Sequence, residues 1–134
     1  MPEVRGVRGV RDATFRLEHL QKCNYTIVVY GIRFDWDEAK NLSNQRKHGV
    51  SFEQATQVFL DPMHIVVYDR VIDGEQRWQA LGLANILAGS YLLLLVAHTV
   101  REDLEHDTFV EVIRIISARR VSQEERKSYE DQNG

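Results

Sequence analysis

Between Trp78 and Val100 the chain runs for 23 residues without a formal charge if His98 is neutral, and any fold must hide that stretch. A membrane-spanning helix needs about 20 apolar residues, so the length alone would suit one. The composition of the stretch argues for another solution. Gln79, Asn85, Ser90 and His98 are polar, Gly82 and Gly89 break helices, and residues 85–90 carry turn formers at both ends. Two apolar runs divided by a turn read as a hairpin of buried strands over residues 77–84 and 91–99, with the membrane helix as the competing reading.

A buried hairpin needs partners on its edges and faces, and the flanking sequence offers them. Residues 26–36 are dense in β-branched and aromatic side chains (Ile27, Val28, Val29, Tyr30, Ile32, Phe34, Trp36) and predict a strand. Residues 64–69 and 109–118 predict two more, and the acidic residues 101–107 predict a loop. Asp35 or Asp37 can cap a helix over residues 38–48 that stops at Gly49. Ser51 and Gln54 have capping-box spacing and open a second helix from Phe52 to about Phe59, ended by Asp61 and Pro62. Ser122 and Glu125 repeat that spacing before a short C-terminal helix through about Tyr129. Phe15, Leu17 and Leu20 allow a short helix over residues 13–22 in an arginine-rich start.

This order predicts an α+β domain with a twisted antiparallel sheet of about four to five strands. The four strands after Pro62 form a meander, and two N-terminal-side helices and one C-terminal helix pack on one face. A chain of 134 residues, 43% hydrophobic, suits one such domain and excludes a wholly disordered chain.

Charge narrows the function classes. The net charge of −3 excludes a uniformly basic nucleic-acid coat, although residues 1–33 carry six basic and three acidic groups. The single cysteine, Cys23, fits a reducing compartment, so the expectation is a cytoplasmic protein. The sequence offers no glycine-rich phosphate loop, no H-E-x-x-H helix, no nucleophile elbow and no structural zinc spacing. Its cations instead stand beside element ends: Lys40, Arg46, Lys47 and His48 on the first helix, Arg77, Arg101, Arg114, Arg119 and Arg120 on or after strands. Arg114 falls among apolar neighbours, where a guanidinium is costly unless paired or facing a cleft. Arg119 and Arg120 emerge where a helix is about to begin, a place that suits oxyanions. Each has a plainer reading as well. His48 can simply cap its helix, Lys47 and Arg46 can be solvated, and Arg77 and Arg101 can be ordinary strand-end charges. His98 reads as a hydrogen-bonded core or rim histidine.

Several of these residues fall in strings that resemble one family. They are residues 34–41 (FDWDEAKN), 44–52 (NQRKHGVSF), 58–62 (VFLDP), 77–82 (RWQALG) and 113–120 (IRIISARR), with Glu125, Arg126 and Tyr129. In this order and spacing they resemble the BrnT family of bacterial toxins over about residues 33–131. The resemblance implies a RelE-like fold and the toxin of a type II toxin–antitoxin pair, a metal-independent endoribonuclease with no cofactor. It implies a BrnA-like ribbon-helix-helix antitoxin as partner, with operator DNA contacted only through that partner, and RNA, free or on the ribosome, as substrate. Carried onto this chain, it implies His48 as general acid or base and Arg77 and Arg119 as phosphate clamps. Lys47, Arg101 and Arg120 become supporting RNA contacts. Residues 1–32 have no counterpart in the family and are expected to be an extension, partly ordered, with an added strand or docking arm; residues 33–134 would be the toxin domain. The acidity of that domain supports the competing reading of an inactive, toxin-like module that docks an antitoxin and co-regulates its operon.

Overall fold

The computed structural model describes residues 25–29 and 31–133, so the short helix expected over residues 13–22 lies outside it. Strands β1 (Tyr25–Val29) and β2 (Ile32–Trp36) form an antiparallel hairpin. The sequence suggested a single strand here. Gly31 breaks it, adopting φ +80, a conformation that β-branched residues resist. Helix α1 (Glu38–His48) starts at Asp37, whose carboxylate accepts from the Ala39 amide, and ends at Gly49 with φ 72. Helix α2 (Phe52–Ala55) opens on the expected Ser51–Gln54 capping box and tightens into a 3-10 turn over Thr56–Leu60.

Four long strands follow, β3 (Ile65–Ile72), β4 (Glu75–Leu87), β5 (Ser90–Glu105) and β6 (Thr108–Arg120), then helix α3 (Gln123–Asn133). The six strands lie in the order β1-β2-β6-β5-β4-β3. β3 to β6 form the expected antiparallel meander, while β2 joins β6 in parallel, so the sheet is mixed. The uncharged stretch is the β4–β5 hairpin, and no helix among the described residues is long and apolar enough to cross a membrane. Residues 101–107 are not a loop. They extend β5 to Glu105 and turn at His106 and Asp107, both at positive φ, the geometry of a two-residue hairpin turn.

Both faces of the sheet are covered. Phe34, Leu94, Val96, Ile113 and Ile115 pack against Val50, Phe52 and Val58 of the α1–α2 segment. Gly82 lets that segment approach, since a Cβ there would lie 2.9 Å from the Cβ of His64 and 3.0 Å from a Val58 methyl. The alternate residues Leu81, Leu93 and Leu95 face the other way and bury Tyr129 of α3. The C-terminal helix therefore crosses the opposite face, not the shared face expected from sequence. Its Tyr129 hydroxyl donates to Asp61 at 2.7 Å, and burial together with that bond pushes the phenol up to about 12.

One side chain closes the sheet where β2 stops. β2 pairs with β6 only as far as Asp35 opposite Arg114, leaving the outer edge of β6 open beyond that point. The buried Asn44 of α1 fills the gap: its Nδ2 donates to the Ala118 carbonyl at 2.7 Å and its Oδ1 accepts from the Ala118 amide at 3.1 Å. The same Nδ2 donates to the Val50 carbonyl at 2.9 Å. Asn44→Ala strands these backbone groups without partners and is expected to destabilise the fold by about 2–3 kcal/mol in urea unfolding. A loss within 0.5 kcal/mol would mean that water replaces the amide.

Candidate functional site

The face covered by α3 carries a groove of about 300 Å³, whose polar walls are Asp69, Arg70, Arg77, Gln79, Ser117 and Arg119. A second cavity of about 190 Å³ lies beside it, between Lys40, Ser43, Lys47 and His48 of α1 and strand β6. Ile116 and Ser117 line both, so the two cavities meet along this short piece of β6.

Two β-bulges shape the groove. Along β5–β6, Ala97 pairs with Ser117 and His98 with Ile115, leaving Ile116 as an extra residue. The bulge breaks the alternation expected for residues 109–118, so Ile116 and Ser117 both face the groove. Along β3–β4, Tyr68 pairs with Trp78 and Arg70 with Arg77, leaving Asp69 as an extra residue, and Asp69 and Arg70 both line the groove. The bulges flank one cross-strand row, Trp78 opposite His98. Sequence reading missed Arg70, Asp69 and Gln79; the one available signal was two adjacent polar residues inside the otherwise apolar run of β3.

The groove arginines are held in three different ways. Arg119 is bidentate to Glu125, with Nη1–Oε1 at 2.9 Å and Nη2–Oε2 at 2.8 Å, and Nη1 also donates to the Arg120 carbonyl at 3.1 Å. Those bonds leave the Nε edge of the fork for another anion. Glu125 also accepts from the Ser122 amide at 2.9 Å, completing the expected capping box, so the start of α3 sets the orientation of Arg119. Arg70 has a loose contact with Asp69 at 3.3 Å and a side chain 68% exposed. Among the described residues Arg77 makes no ion pair and its buried Nε has no hydrogen-bond partner.

The other candidates fall in different places. Lys47 and His48, in the last turn of α1, line the second cavity, where they also complement the helix dipole. Arg120 pairs with Leu94 in the ladder and is exposed on the α1–α2 face, opposite Arg119. Arg101 belongs to a separate ionic cluster near the far end of the sheet. It contacts Asp35 at 3.4 Å and Asp103 at 3.3 Å, beside an almost fully buried Arg33 bonded to Asp103 and Glu105. Burial opposes the charge of Arg33, but Asp35, Glu105 and Asp103 outweigh it and raise its pKa. His98 is a core histidine, its Nδ1 at 3.1 Å from the Val96 carbonyl and its ring against Phe59, with its pKa lowered by burial.

The Arg119–Glu125 pair gives a pH prediction. Hydrogen bonds from Arg119 hold the Glu125 carboxyl below its ordinary value. A carboxylate depressed on folding contributes stability above its unfolded pKa, about 4.3, and loses it as pH falls through the lower folded value. Glu125→Gln is therefore expected to lower the melting temperature near pH 7, with the difference from wild type closing only below about pH 4. A difference that vanished already near pH 6 would count against the pair.

A search of curated proteins finds no significant match. The family described as the ribonuclease toxin BrnT of type II toxin–antitoxin systems does match, over residues 36–125. That span holds α1, the meander and every groove residue named above as far as Glu125, about two-thirds of the chain. The bulged, arginine-lined face thus lies within a matched toxin domain, and this chain belongs to the BrnT family of ribonuclease toxins of type II toxin–antitoxin systems.

Proposed function

We propose that this chain is a metal-independent endoribonuclease that cleaves RNA, halts translation and growth, and uses the groove of Arg77 and Arg119 as its active site. The observation that carries this reading is Arg77: a half-buried guanidinium with no carboxylate partner among the described residues, opening onto the groove that also receives Arg119. Leaving a buried cation unpaired is unfavourable, and an incoming phosphate relieves it.

RNA brings its own nucleophile, the ribose 2′-OH, so the protein has to bind, exchange protons and stabilise a doubly charged phosphorane. Arg77 from β4 and the free edge of Arg119 from β6 reach the scissile phosphate from two sides. Two strand spacings, about 10 Å, and a four-residue offset along β5, about 13 Å, separate those backbones by about 16 Å, a gap that two extended arginines with a phosphate between them span. His48, across the Ile116–Ser117 wall, is the proton-exchanging group, because an imidazole can both accept and donate a proton. Lys47 holds the RNA backbone on the α1 side, while Arg101 and Arg120, which lie outside both cavities, are left as remote supporting contacts. The antitoxin that the family implies, of BrnA-like ribbon-helix-helix type, covers this groove and alone contacts operator DNA. The site of action is cytoplasmic RNA, free or on the ribosome, and residues 1–32 are an extension of a toxin domain that begins near residue 33.

Arg77→Ala and Arg119→Ala should each slow cleavage of a defined RNA by about 10²–10³, the usual effect of removing one well-aimed charge donor. His48→Ala should slow it as well, and EDTA should leave the wild-type rate unchanged. Equal cutting by all four preparations would point to contamination and favour the inactive docking module. Expression of the wild type alone should arrest growth, and the antitoxin should relieve it.

A further inference from the structure

We infer that Arg70 and Arg77 form a second phosphate subsite on the β3 side of the scissile position, which sets the path of the RNA strand across β3–β6. This deepens the ribonuclease reading and rests on it.

The two arginines are directly opposite each other in the β3–β4 ladder. Like charges in that position are destabilising, and they lie on the groove side of the sheet. The bulge at Asp69 adds to the case. Without the extra residue, alternation from Tyr68 would place Arg70 on the face away from the groove; with it, Arg70 faces Arg77. Asp69 does not neutralise the pair, since its contact with Arg70 Nε at 3.3 Å involves one cation only. Arg77 keeps a buried, partnerless Nε, and Arg70 has the exposure to follow a ligand. An anion beside this pair removes the repulsion and bonds to the Nε edge of Arg77, which leaves its Nη1–Nη2 edge for the scissile phosphate. Within a groove whose other end holds Arg119 and meets the Lys47–His48 cavity, the anion that fits is the phosphate next to the one being cleaved. Lys47 and Arg70 then hold the strand on either side of the reacting centre.

The test uses the full chain and a short RNA made non-cleavable by 2′-O-methylation, with anisotropy measured at several salt concentrations. Arg70→Gln is expected to weaken binding about tenfold and to reduce the slope of log K against log salt by about 0.7, one phosphate contact on a single strand. Without RNA, the same variant should melt at or above the wild-type temperature, because the cross-strand repulsion is gone. On cleavable RNA the loss should appear in KM, with kcat nearly unchanged. Unchanged affinity and salt slope, or a lower melting temperature with proportionate loss of kcat, would overturn the subsite. If Arg70→Gln binds RNA normally but loses affinity for the antitoxin, the pair is a protein contact and the phosphate assignment fails. If the wild type binds and cuts while only Arg70→Gln is indistinguishable from it, the subsite alone falls. A wild type that neither binds nor cuts RNA overturns the ribonuclease reading with it.

Discussion

The amide of Asn44, bonded to both backbone groups of Ala118, ties α1 to the open edge of β6, and the arrangement of the functional face depends on it. β2 covers that edge only as far as Arg114, and past that point the unpaired peptide groups need a partner. A strand would satisfy them equally well but would bring no helix to the site. Asn44 satisfies them with one turn of helix and so sets Lys47 and His48 beside Ser117, next to the groove that holds Arg77 and Arg119.

Charge in this sheet is sorted by how fully it is compensated. Arg33 is almost completely buried and bonded to several carboxylates; it belongs to structure. Arg119 is half compensated: Glu125 occupies one edge of its fork and leaves the other. Of the other groove arginines, Arg70 has one loose contact and Arg77 no ion pair among the described residues, and the two face each other across the ladder. Uncompensated donors gain most when a phosphate arrives, which favours binding, and those that meet the phosphorane more strongly than the ground-state phosphate also lower the barrier.

Much of the fold was legible because its signals are local. Asp37 and Gly49 bracket α1, the Ser51 and Ser122 capping boxes open their helices, and the turn residues around Gly89 divide the uncharged stretch into β4 and β5. The errors arose where a long-range partner decided the outcome. The acidic residues 101–105 look like a loop until Asp103 and Glu105 find Arg33, some seventy residues away in sequence. Residues 26–36 look like one strand because the turn at Gly31 is a single residue of unusual φ among strand formers. The two-sided arrangement of helices was hidden because Tyr129 meets Leu81 and Leu93 only after the meander has assembled.

The site was legible as a set of residue types and not as a place. Arg77 and Arg119 could be singled out by their position beside element ends and by family resemblance, yet spacing cannot tell that they share a face with each other and not with Arg120. That is decided by the bulge at Ile116. Without it, strict alternation from Ile115 would carry Ser117 and Arg119 onto the same side as Ile115, in the core beneath α1 and α2, and would turn Arg120 toward the groove. The inserted residue shifts the phase by one, so Ala118 joins the core and Arg119 comes out beside Arg77. A one-residue irregularity thus selects which of two adjacent arginines enters the groove, and the choice lies in the insertion of Ile116 into the ladder, since Ser117 to Arg120 keep regular partners on β5 from there on.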